Sequence, residues 1–395
     1  MNKQDFDFDR LIDRRDTHSF KYDGLQQVFG TDEVIPMWIA DMDFAVPPAV
    51  SKAIIKRAEH PIYGYTFRPD SYYESIVRWM DKRHGWNIEK EWIQYCPGVV
   101  PALNMAVQGF TEPGEGVILQ SPIYHPFFHA INLNHRKLLN NQLKELEDGT
   151  YIIDFDDLVE KAKEARLLLL SNPHNPVGRS WDEDELRTLG EICTANNLLV
   201  VSDEIHADLT LPGHHHIPLA SLSEEIASHT ITCISPSKTF NLGGLNTSSV
   251  IISDPEVRKR FEEVIESLHL GMGNLFGMEA SIAAYNHGEK WLDALLKYIQ
   301  GNIDFARSFL KEKLPGIGMS PIEATYLLWL DFRKTGMNND ELHKFMINKA
   351  KVGSNDGTMY GPGGEGFQRL NVACPHSIVE EAFIRIYNAF STISK

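Results

Sequence analysis

One stretch of the chain decides the fold: Ser235-Pro236-Ser237-Lys238-Thr239-Phe240-Asn241-Leu242-Gly243-Gly244-Leu245. It follows the apolar run 230–234, which is typical of a short buried strand. A lysine that forms a Schiff base needs burial, a lowered pKa and a nearby electron sink. Hydroxyl side chains on a tight turn are also good phosphate ligands. Taken alone, however, the stretch is explained equally well as a surface lysine in a polar loop.

Two earlier segments also place polar residues at the ends of predicted strands. In Val201-Ser202-Asp203-Glu204-Ile205-His206, an acid ends an apolar run and a histidine follows three residues later. In Ser171-Asn172-Pro173-His174-Asn175-Pro176-Val177-Gly178, an asparagine lies between two prolines. Taken separately, Asp203 is most simply a turn or helix cap, and Asn175 belongs to a rigid loop.

Short apolar runs alternate with a helical pattern in the middle of the chain, which predicts a parallel α/β sheet buried on both faces. The predicted strands are 117–120, 167–170, 198–202, 230–234 and 249–252, and the predicted helices are 72–80 and 182–196. Ligands of such sheets bind beyond the carboxyl ends of the strands. The three polar segments follow such ends, so we expect them to meet at one site.

The pattern changes after about residue 290. A long helix is predicted over 291–313, and further elements over 326–331 (strand), 340–351 (helix) and 368–373 (strand). We predict an N-terminal arm with part of the small domain in 1–47, a large domain in 48–290 and a smaller C-terminal α+β domain in 291–395. Periodicity alone does not show that the arm joins the small domain.

Composition excludes several classes of protein. The 395 residues carry 38 Lys and Arg against 54 Asp and Glu, a net charge of −16, so we expect no nucleic-acid partner and no membrane partner. The four cysteines are scattered and form no C-x-x-C unit, and no run typical of a signal peptide is visible, which favours the cytoplasm. The adjacent histidines 214–216 cannot all converge on one ion and have no evident carboxylate partner, so we expect no metal.

In chain order, the three polar segments resemble those of pyridoxal-phosphate enzymes with the aspartate aminotransferase fold, known as fold type I. The resemblance implies an α/β large domain with a mostly parallel seven-stranded sheet flanked by helices, plus a smaller α+β domain. It also implies pyridoxal 5′-phosphate as cofactor. Lys238 would hold the cofactor as a Schiff base, and Asp203 would pair with the pyridine nitrogen. Asn175 and His206 would hydrogen-bond the ring oxygen O3′, and Tyr124 would stack on the ring as a further catalytic residue.

The same resemblance implies a phosphate site at the start of a helix after Pro97-Gly98, where free N–H groups and the helix dipole favour an anion. The implied ligands are the backbone N–H groups of Val99 and Val100 and the hydroxyls of Ser235 and Ser237. One departure is visible, because Asn246 stands where transaminases commonly carry an arginine on the phosphate.

Two more residues match family positions. Tyr63, in Ile62-Tyr63-Gly64-Tyr65, resembles the tyrosine that reaches the phosphate of the neighbouring subunit, which implies a homodimer with shared active sites. Arg369, in Gln368-Arg369-Leu370-Asn371, resembles the arginine that binds the substrate α-carboxylate, which a planar guanidinium can hold with two hydrogen bonds.

Several stretches narrow the resemblance to the MalY/PatB group of cystathionine β-lyase-like C–S lyases, and they extend over nearly the whole chain. They are Met37-Trp38-Ile39-Ala40-Asp41-Met42-Asp43-Phe44, Tyr63-Gly64-Tyr65, Ser202-Asp203-Glu204-Ile205-His206 and Gly361-Pro362-Gly363-Gly364-Glu365-Gly366-Phe367. The implied reaction is α,β-elimination, in which L-cystathionine or a related cysteine S-conjugate yields homocysteine or another thiol, pyruvate and ammonia. Lys238 would take the Cα proton, and Trp38 and Tyr124 would line the side-chain pocket.

Two alternatives stay open at this point. A class I/II aminotransferase would use the same lysine and the same cofactor, so the residue set does not exclude it. A regulatory protein acting through protein contacts belongs to a different class, and no sequence patch identifies its partner. The sequence also does not rank cystathionine, cysteine, cystine and other S-conjugates as substrates.

Overall fold

The computed structural model describes residues 6–393. Its central element is a seven-stranded sheet, whose strands we number in chain order: β1 Ile93–Cys96, β2 Gly116–Leu119, β3 Lys137–Asn140, β4 Ala165–Ser171, β5 Leu199–Asp203, β6 Thr230–Ile234 and β7 Ser248–Ile251. The strand order is β1-β7-β6-β5-β4-β2-β3. Pairing is parallel from β6 across to β3, and β7 is antiparallel to both of its neighbours. The predicted fold class, a mostly parallel seven-stranded sheet, is confirmed.

Strand β4 is buried on both faces of the sheet, as is typical of a strand in a parallel sheet. Its side chains alternate between two cores, with Leu167 and Leu169 on one face and Leu168 and Leu170 on the other, all fully buried. A strand covered on both faces is apolar at every position, which is the pattern that the sequence displays. Strand β7 turns back antiparallel because the segment 235–247 makes only two short helical turns and does not cross the sheet.

Helices cover both faces and begin or end at recognisable caps. Asp182 and Glu185 form a capping box at the start of Glu183–Ala195, and Gly85 ends Asp70–His84 with a φ of 63°. The other α-helices are Phe20–Asp23, Leu25–Phe29, Pro48–Ala58, Val99–Phe110, Pro126–Asn132, Phe155–Ala162, Glu224–Ser228, Pro236–Thr239, Pro255–Ser267, Leu275–His287, Glu289–Lys313, Asn339–Lys344 and His376–Ile393. The 3₁₀ turns are Lys90–Trp92, Ala207–Leu209, Leu219–Ser221, Gly243–Leu245, Arg333–Thr335 and Gly357–Tyr360.

A second sheet of four strands lies in the C-terminal part of the chain. Its strands, which we number onward, are β8 Gly318–Met319, β9 Leu327–Asp331, β10 Asn355–Asp356 and β11 Phe367–Asn371, in the antiparallel order β8-β9-β11-β10. Two-residue strands pair Lys144–Glu145 with Tyr151–Ile152, and Ile35–Pro36 with Val352–Gly353. The latter pair joins the N-terminal arm to the C-terminal part. The domain boundaries stay a prediction, and residues 1–5 and 394–395 of the predicted domains lie outside the described residues.

One predicted helix differs from the structure. The α-helix over Asn339–Lys344 continues as a π-helical turn, Phe345–Ala350, and ends at Lys351 with a φ of 52°. Phe345, Met346, Ile347 and Ala350 are buried in this turn. No helix within residues 6–393 is both long enough and apolar enough to cross a membrane.

Candidate active site

A cavity of about 520 Å³ opens at the carboxyl ends of β4, β5 and β6. All three polar segments of the sequence contribute to its wall. Its lining residues are Phe20, Trp38, Ile39, Ala40, Pro97, Gly98, Val99, Val100, Pro101, Tyr124, His125, Ser171, Asn175, Asp203, Ile205, His206, Ser235, Ser237, Lys238, Gly243, Asn246, Thr247, Ser248, Asn355, Met359 and Arg369. This is the position at which a parallel sheet binds its ligands.

Asp203, the last residue of β5, presents a buried carboxyl group to the cavity. Its Oδ1 accepts from the backbone N–H of Ile205 at 3.1 Å, and it makes no ion pair among the described residues. Burial raises the pKa of Asp203 to about 7, and the positive charge of Lys238 offsets only part of that rise. A carboxylate in this setting favours a protonated nitrogen as its partner.

Lys238 lies in the short helix Pro236–Thr239, directly after β6. Its Nζ donates to the backbone carbonyl of Ala40 at 2.6 Å. Burial lowers the pKa of the Lys238 amine to about 8, and the nearby Arg369 charge acts in the same direction. An amine with this pKa exchanges a proton near neutral pH, as a Schiff-base lysine and general base must.

His206 and Asn175 offer polar atoms to the cavity from two different loops. Burial lowers the pKa of His206 to about 3, so the imidazole is neutral, and its buried Nδ1 has no partner among the described residues. The Oδ1 of Asn175 accepts from Arg369 Nη1 at 3.1 Å, which turns the amide nitrogen of Asn175 toward other acceptors. Both groups can therefore hydrogen-bond an oxygen of a bound molecule.

Arg369, on β11, is a buried cation whose hydrogen-bond partners are neutral. Its Nη2 donates to the carbonyl of Trp38 at 2.7 Å and to Oδ1 of Asn355 at 2.8 Å. Its Nε has no partner and, within residues 6–393, the guanidinium makes no ion pair. A buried guanidinium without a counter-ion favours an anionic ligand strongly, because leaving it unpaired is costly.

Another part of the cavity wall offers groups for an anion. The helix Val99–Phe110 begins after Gly98, and Val99 and Val100 line the cavity at its N-terminus. The Ser235 hydroxyl is already engaged, since it donates to the Thr247 carbonyl at 2.9 Å and accepts the Ser237 N–H at 3.1 Å. Ser235 therefore stabilises the turn, and Ser237 Oγ, which lies 2.9 Å from Ser235 Oγ, belongs to the same network and also lines the cavity.

These groups fit pyridoxal phosphate, because each polar part of that molecule has a counterpart. A buried carboxylate suits a pyridinium, a neutral histidine and an amide suit a ring hydroxyl, and a helix N-terminus suits a phosphate. The unsatisfied Nδ1 of His206 and the high pKa of Asp203 are the observations that support this fit. Asn246, in place of the usual arginine, also lines the cavity and adds no charge there.

Of the predicted site residues, Tyr63 lies outside the cavity. Trp38 and Tyr124 line the cavity, whereas Tyr63 does not. Tyr63 is 58% exposed, donates to the Ala58 carbonyl at 2.7 Å and packs on Phe276 with ring centroids 5.6 Å apart. Tyr63 therefore contributes nothing to the cavity of its own chain.

Sequence reasoning missed several lining residues. Phe20, Asn355 and Met359 come from segments far from the three polar loops and belong to no motif, and Ala40 lies in the quoted stretch 37–44 without having been singled out. His125 is adjacent to Tyr124 and could have been suspected for that reason, and burial lowers its pKa to about 4. These residues line the cavity because of chain packing, which short sequence patterns do not record.

The histidine run proves to have a carboxylate partner that the sequence did not reveal. His216 Nε2 and Glu204 Oε2 are 2.8 Å apart, and both side chains are fully buried. Glu204 also accepts from the Ser202 hydroxyl and the Leu219 N–H, so the pair is part of a buried network, in which His216 Nδ1 has no partner among the described residues. In the described part of the chain, no group of three or more possible ligands is arranged to hold a metal ion.

The fold and the site define a class, and comparison with known proteins agrees. Residues 32–386 match the family model for aminotransferase class I and II. The chain belongs to this family.

Within the family, three relatives place the chain more closely. It is 46% identical to cystathionine β-lyase PatB of Bacillus subtilis over 97% of this chain and all of that protein, and 31% identical to protein MalY of Escherichia coli over 98% of this chain and all of that protein. The crystal structure of cystalysin from Treponema denticola, which contains pyridoxal 5′-phosphate, superposes with a TM-score of 0.95, at 38% identity, over 98% of this chain and 99% of that one. The resemblance to the MalY/PatB group is confirmed.

Proposed function

We propose that this chain is a pyridoxal-phosphate-dependent C–S lyase that catalyses α,β-elimination of L-cystathionine and related cysteine S-conjugates. One observation carries the chemistry: an unpaired buried guanidinium, a lysine of lowered pKa and a buried carboxylate face one cavity. The full-length similarity to cystathionine β-lyase PatB supports the choice of reaction. The products are a thiol, pyruvate and ammonia.

Each residue of the cavity has a separate role in the proposed reaction. Arg369 binds the substrate α-carboxylate and so orients the Cα–H bond toward the Lys238 amine. Lys238 Nζ accepts the Cα proton, for which its lowered pKa suits it. Asp203 keeps its charge against a protonated ring nitrogen, and the bound cofactor supplies the electron sink for the carbanion formed at Cα. Tyr124 and Trp38 enclose the substrate side chain and its leaving sulfur.

The reaction type is tested by counting turnovers of the holoenzyme on L-cystathionine with no keto acid present. A lyase turns over many times, because water completes the cycle and the products are equal amounts of pyruvate and thiol. An aminotransferase stops after about one turnover and resumes when a keto acid is added. That second result would overturn the proposal in favour of an aminotransferase, which remains a candidate because the family as a whole shares this residue set.

We also infer that the enzyme is a homodimer with shared active sites. The segment that follows helix Pro48–Ala58 exposes large apolar side chains, with Ile62 67%, Tyr65 95% and Phe67 83% exposed. Clustered exposure of this kind marks an interaction surface. Tyr63 lies in the same segment and faces away from its own cavity, so it is available to the cavity of a partner.

Subunit mixing tests the shared site. Lys238→Ala and Tyr63→Phe variants, each weakly active or inactive, are combined and allowed to exchange subunits. Activity that returns on exchange supports sites built from two chains, since one site of each hybrid has both residues intact. A fully active monomer in light scattering would assign Tyr63 to its own subunit.

We place the enzyme in the cytoplasm. All four cysteines are buried thiols, and none forms a disulfide. Such thiols are typical of a reducing compartment. Fractionation of the source cells tests this assignment.

A further inference from the structure

Within the N-terminal part of the chain, residues 14–23 lie against the wall of the cavity. From here on we call this segment the arm. Its Phe20 ring lines the cavity and contacts the Trp38 ring edge to face, with ring centroids 5.0 Å apart. The Trp38 indole N–H donates to the Lys21 carbonyl at 3.1 Å. The arm is therefore attached to the segment that forms one side of the cavity.

Two cations of the arm hold two carboxylates of that segment. Arg14 contacts Asp41 through both terminal nitrogens, at 3.0 and 2.7 Å, and also reaches Asp43 at 2.6 Å. Lys21 donates to Asp43 at 2.9 Å, and these two side chains are 1% and 3% exposed. We call these four residues the arm lock. The Lys21–Asp43 pair is shielded from water, and the Arg14 and Asp41 side chains are partly exposed, at 21% and 29%. Charged hydrogen bonds shielded from water restrict their partners more than exposed pairs do, and contact through both terminal nitrogens fixes the geometry of Arg14.

The locked segment uses its backbone carbonyls to hold the two cationic side chains of the site. The Trp38 carbonyl accepts from Arg369 at 2.7 Å, and the Ala40 carbonyl accepts from the Lys238 amine at 2.6 Å. The Tyr326 hydroxyl also donates to the Ala40 carbonyl, at 3.1 Å. These two carbonyls therefore help to position the guanidinium, which Asn175 and Asn355 also hold, and the amine.

We propose that the arm lock is a positioning element of the active site, which orients Arg369 and Lys238 by fixing residues 38–41. The proposal rests on the proposed function, in which Arg369 binds the substrate carboxylate. A planar guanidinium recognises a carboxylate through two parallel hydrogen bonds, so a small displacement weakens binding. The lock touches neither substrate nor cofactor and acts only through the carbonyls of Trp38 and Ala40.

The test uses the cofactor-loaded enzyme and 3-(methylthio)propionate, which has a carboxylate and a thioether but no amine, so it binds without reacting. Calorimetry gives its Kd for the wild type, Arg14→Met, Arg369→Ala and the double variant. We expect each single substitution to weaken binding by about tenfold, the loss of one well-placed charged contact. The double variant should bind no more weakly than Arg369→Ala, because both substitutions remove the same interaction.

Three further variants separate positioning from general stability. Arg14→Lys, which keeps one charge, should recover part of the affinity. Arg187→Met removes an arginine that pairs with Glu183 on an exposed helix, and should change nothing. Asp41→Asn leaves the contact of Arg14 with Asp43 in place. This variant replaces Arg14→Met in the binding test if Arg14→Met does not fold. The visible absorption of bound cofactor reports whether each variant is folded and loaded.

Each result decides between the proposals. Unchanged affinity in Arg14→Met and Asp41→Asn overturns the arm lock while Arg369→Ala still binds weakly. Losses that multiply in the double variant also overturn it, because the arm then acts independently of Arg369. Unchanged affinity in Arg369→Ala contradicts the carboxylate site of the proposed function, and the positioning role falls with it.

Discussion

The polar loops after β4, β5 and β6 and the N-terminal arm reach the same cavity in different ways. The loops bring functional side chains directly, since Asn175, Asp203 and Lys238 each follow or end a strand. The arm contributes one lining ring, Phe20, and otherwise acts through ion pairs with Asp41 and Asp43, next to the carbonyls that hold the cationic side chains of the site. The loops therefore determine which chemistry is available, whereas the arm determines how accurately the groups are placed.

The largest expected effect comes from the loops. Lys238→Ala removes the amine that binds the cofactor and accepts the Cα proton, so turnover should fall to background. The purified wild type should be yellow, with a visible band that borohydride abolishes, and the variant should lack that band. A variant that retains turnover would show that another base acts in its place.

Two aspartates near the end of the same strand should respond differently. Asp203→Asn should lower turnover by about 10²–10⁴-fold with little loss of stability, the range for a removed electrostatic or acid–base group. Asp208 accepts from Trp79, His84 and Thr239, and its pKa is lowered mainly by its hydrogen bond and charge interaction with His84, against the effect of burial. Asp208→Asn should therefore lower the melting temperature, whereas turnover of the folded enzyme should change little. Near-normal turnover in Asp203→Asn would make that residue a simple turn cap.

Substitutions in the arm should have smaller effects, which we express as changes in the free energy of unfolding. Lys21→Met removes one buried partner of Asp43, but Arg14 still pairs with that carboxylate. We expect a loss of about 2 kcal/mol in the free energy of unfolding, below the full cost of an orphaned buried charge. Arg187→Gln, on an exposed helix, should change it by less than about 1 kcal/mol. Equal losses in urea unfolding would contradict the distinction between a buried lock and a surface pair.

The stability of the cofactor-free protein should also depend on pH. Burial raises the pKa of Asp203 from 3.8 to about 7, so between about pH 4 and 7 the unfolded chain has lost a proton that the folded chain keeps. That contribution to stability is present at low pH and is lost as the pH rises. In the free energy of unfolding, Asp203→Asn should thus match the wild type near pH 4 and exceed it by on the order of 4 kcal/mol at pH 8, since each pKa unit corresponds to about 1.4 kcal/mol.

The wild type and the variant share the opposing histidine effects, which cancel in this comparison. Burial lowers the pKa of His206 to about 3, so its contribution is lost as the pH falls from its ordinary range. Urea unfolding of both cofactor-free proteins at several pH values gives the difference. A difference that does not grow with pH would show that Asp203 is solvated or paired in the cofactor-free state.

Local sequence patterns were sufficient to predict the fold class and the strands that lead into the polar loops. Strand β6 occupies the predicted residues 230–234, and the helix predicted over 182–196 spans Glu183–Ala195. Strands β1 and β3 were not predicted, because they are short and β3 is partly exposed at the sheet edge, so neither displays a strong apolar run. The antiparallel direction of β7 and the π-helical turn at Phe345–Ala350 were also not predicted, because an apolar run does not give the direction of a strand and a helical pattern does not distinguish an α-helix from a π-helix.

For the site, the sequence by itself determined the chemistry, because Lys238, Asp203, Asn175 and Arg369 stand in short motifs in which neighbouring residues give each one its meaning. Only the tertiary structure decided what surrounds them. Arg14 meets Asp41 and Asp43, and Lys238 meets the Ala40 carbonyl, across long separations in the chain. A backbone carbonyl is the same in every residue, so no sequence pattern can indicate which one will hold a catalytic amine; that choice depends on how the chain packs.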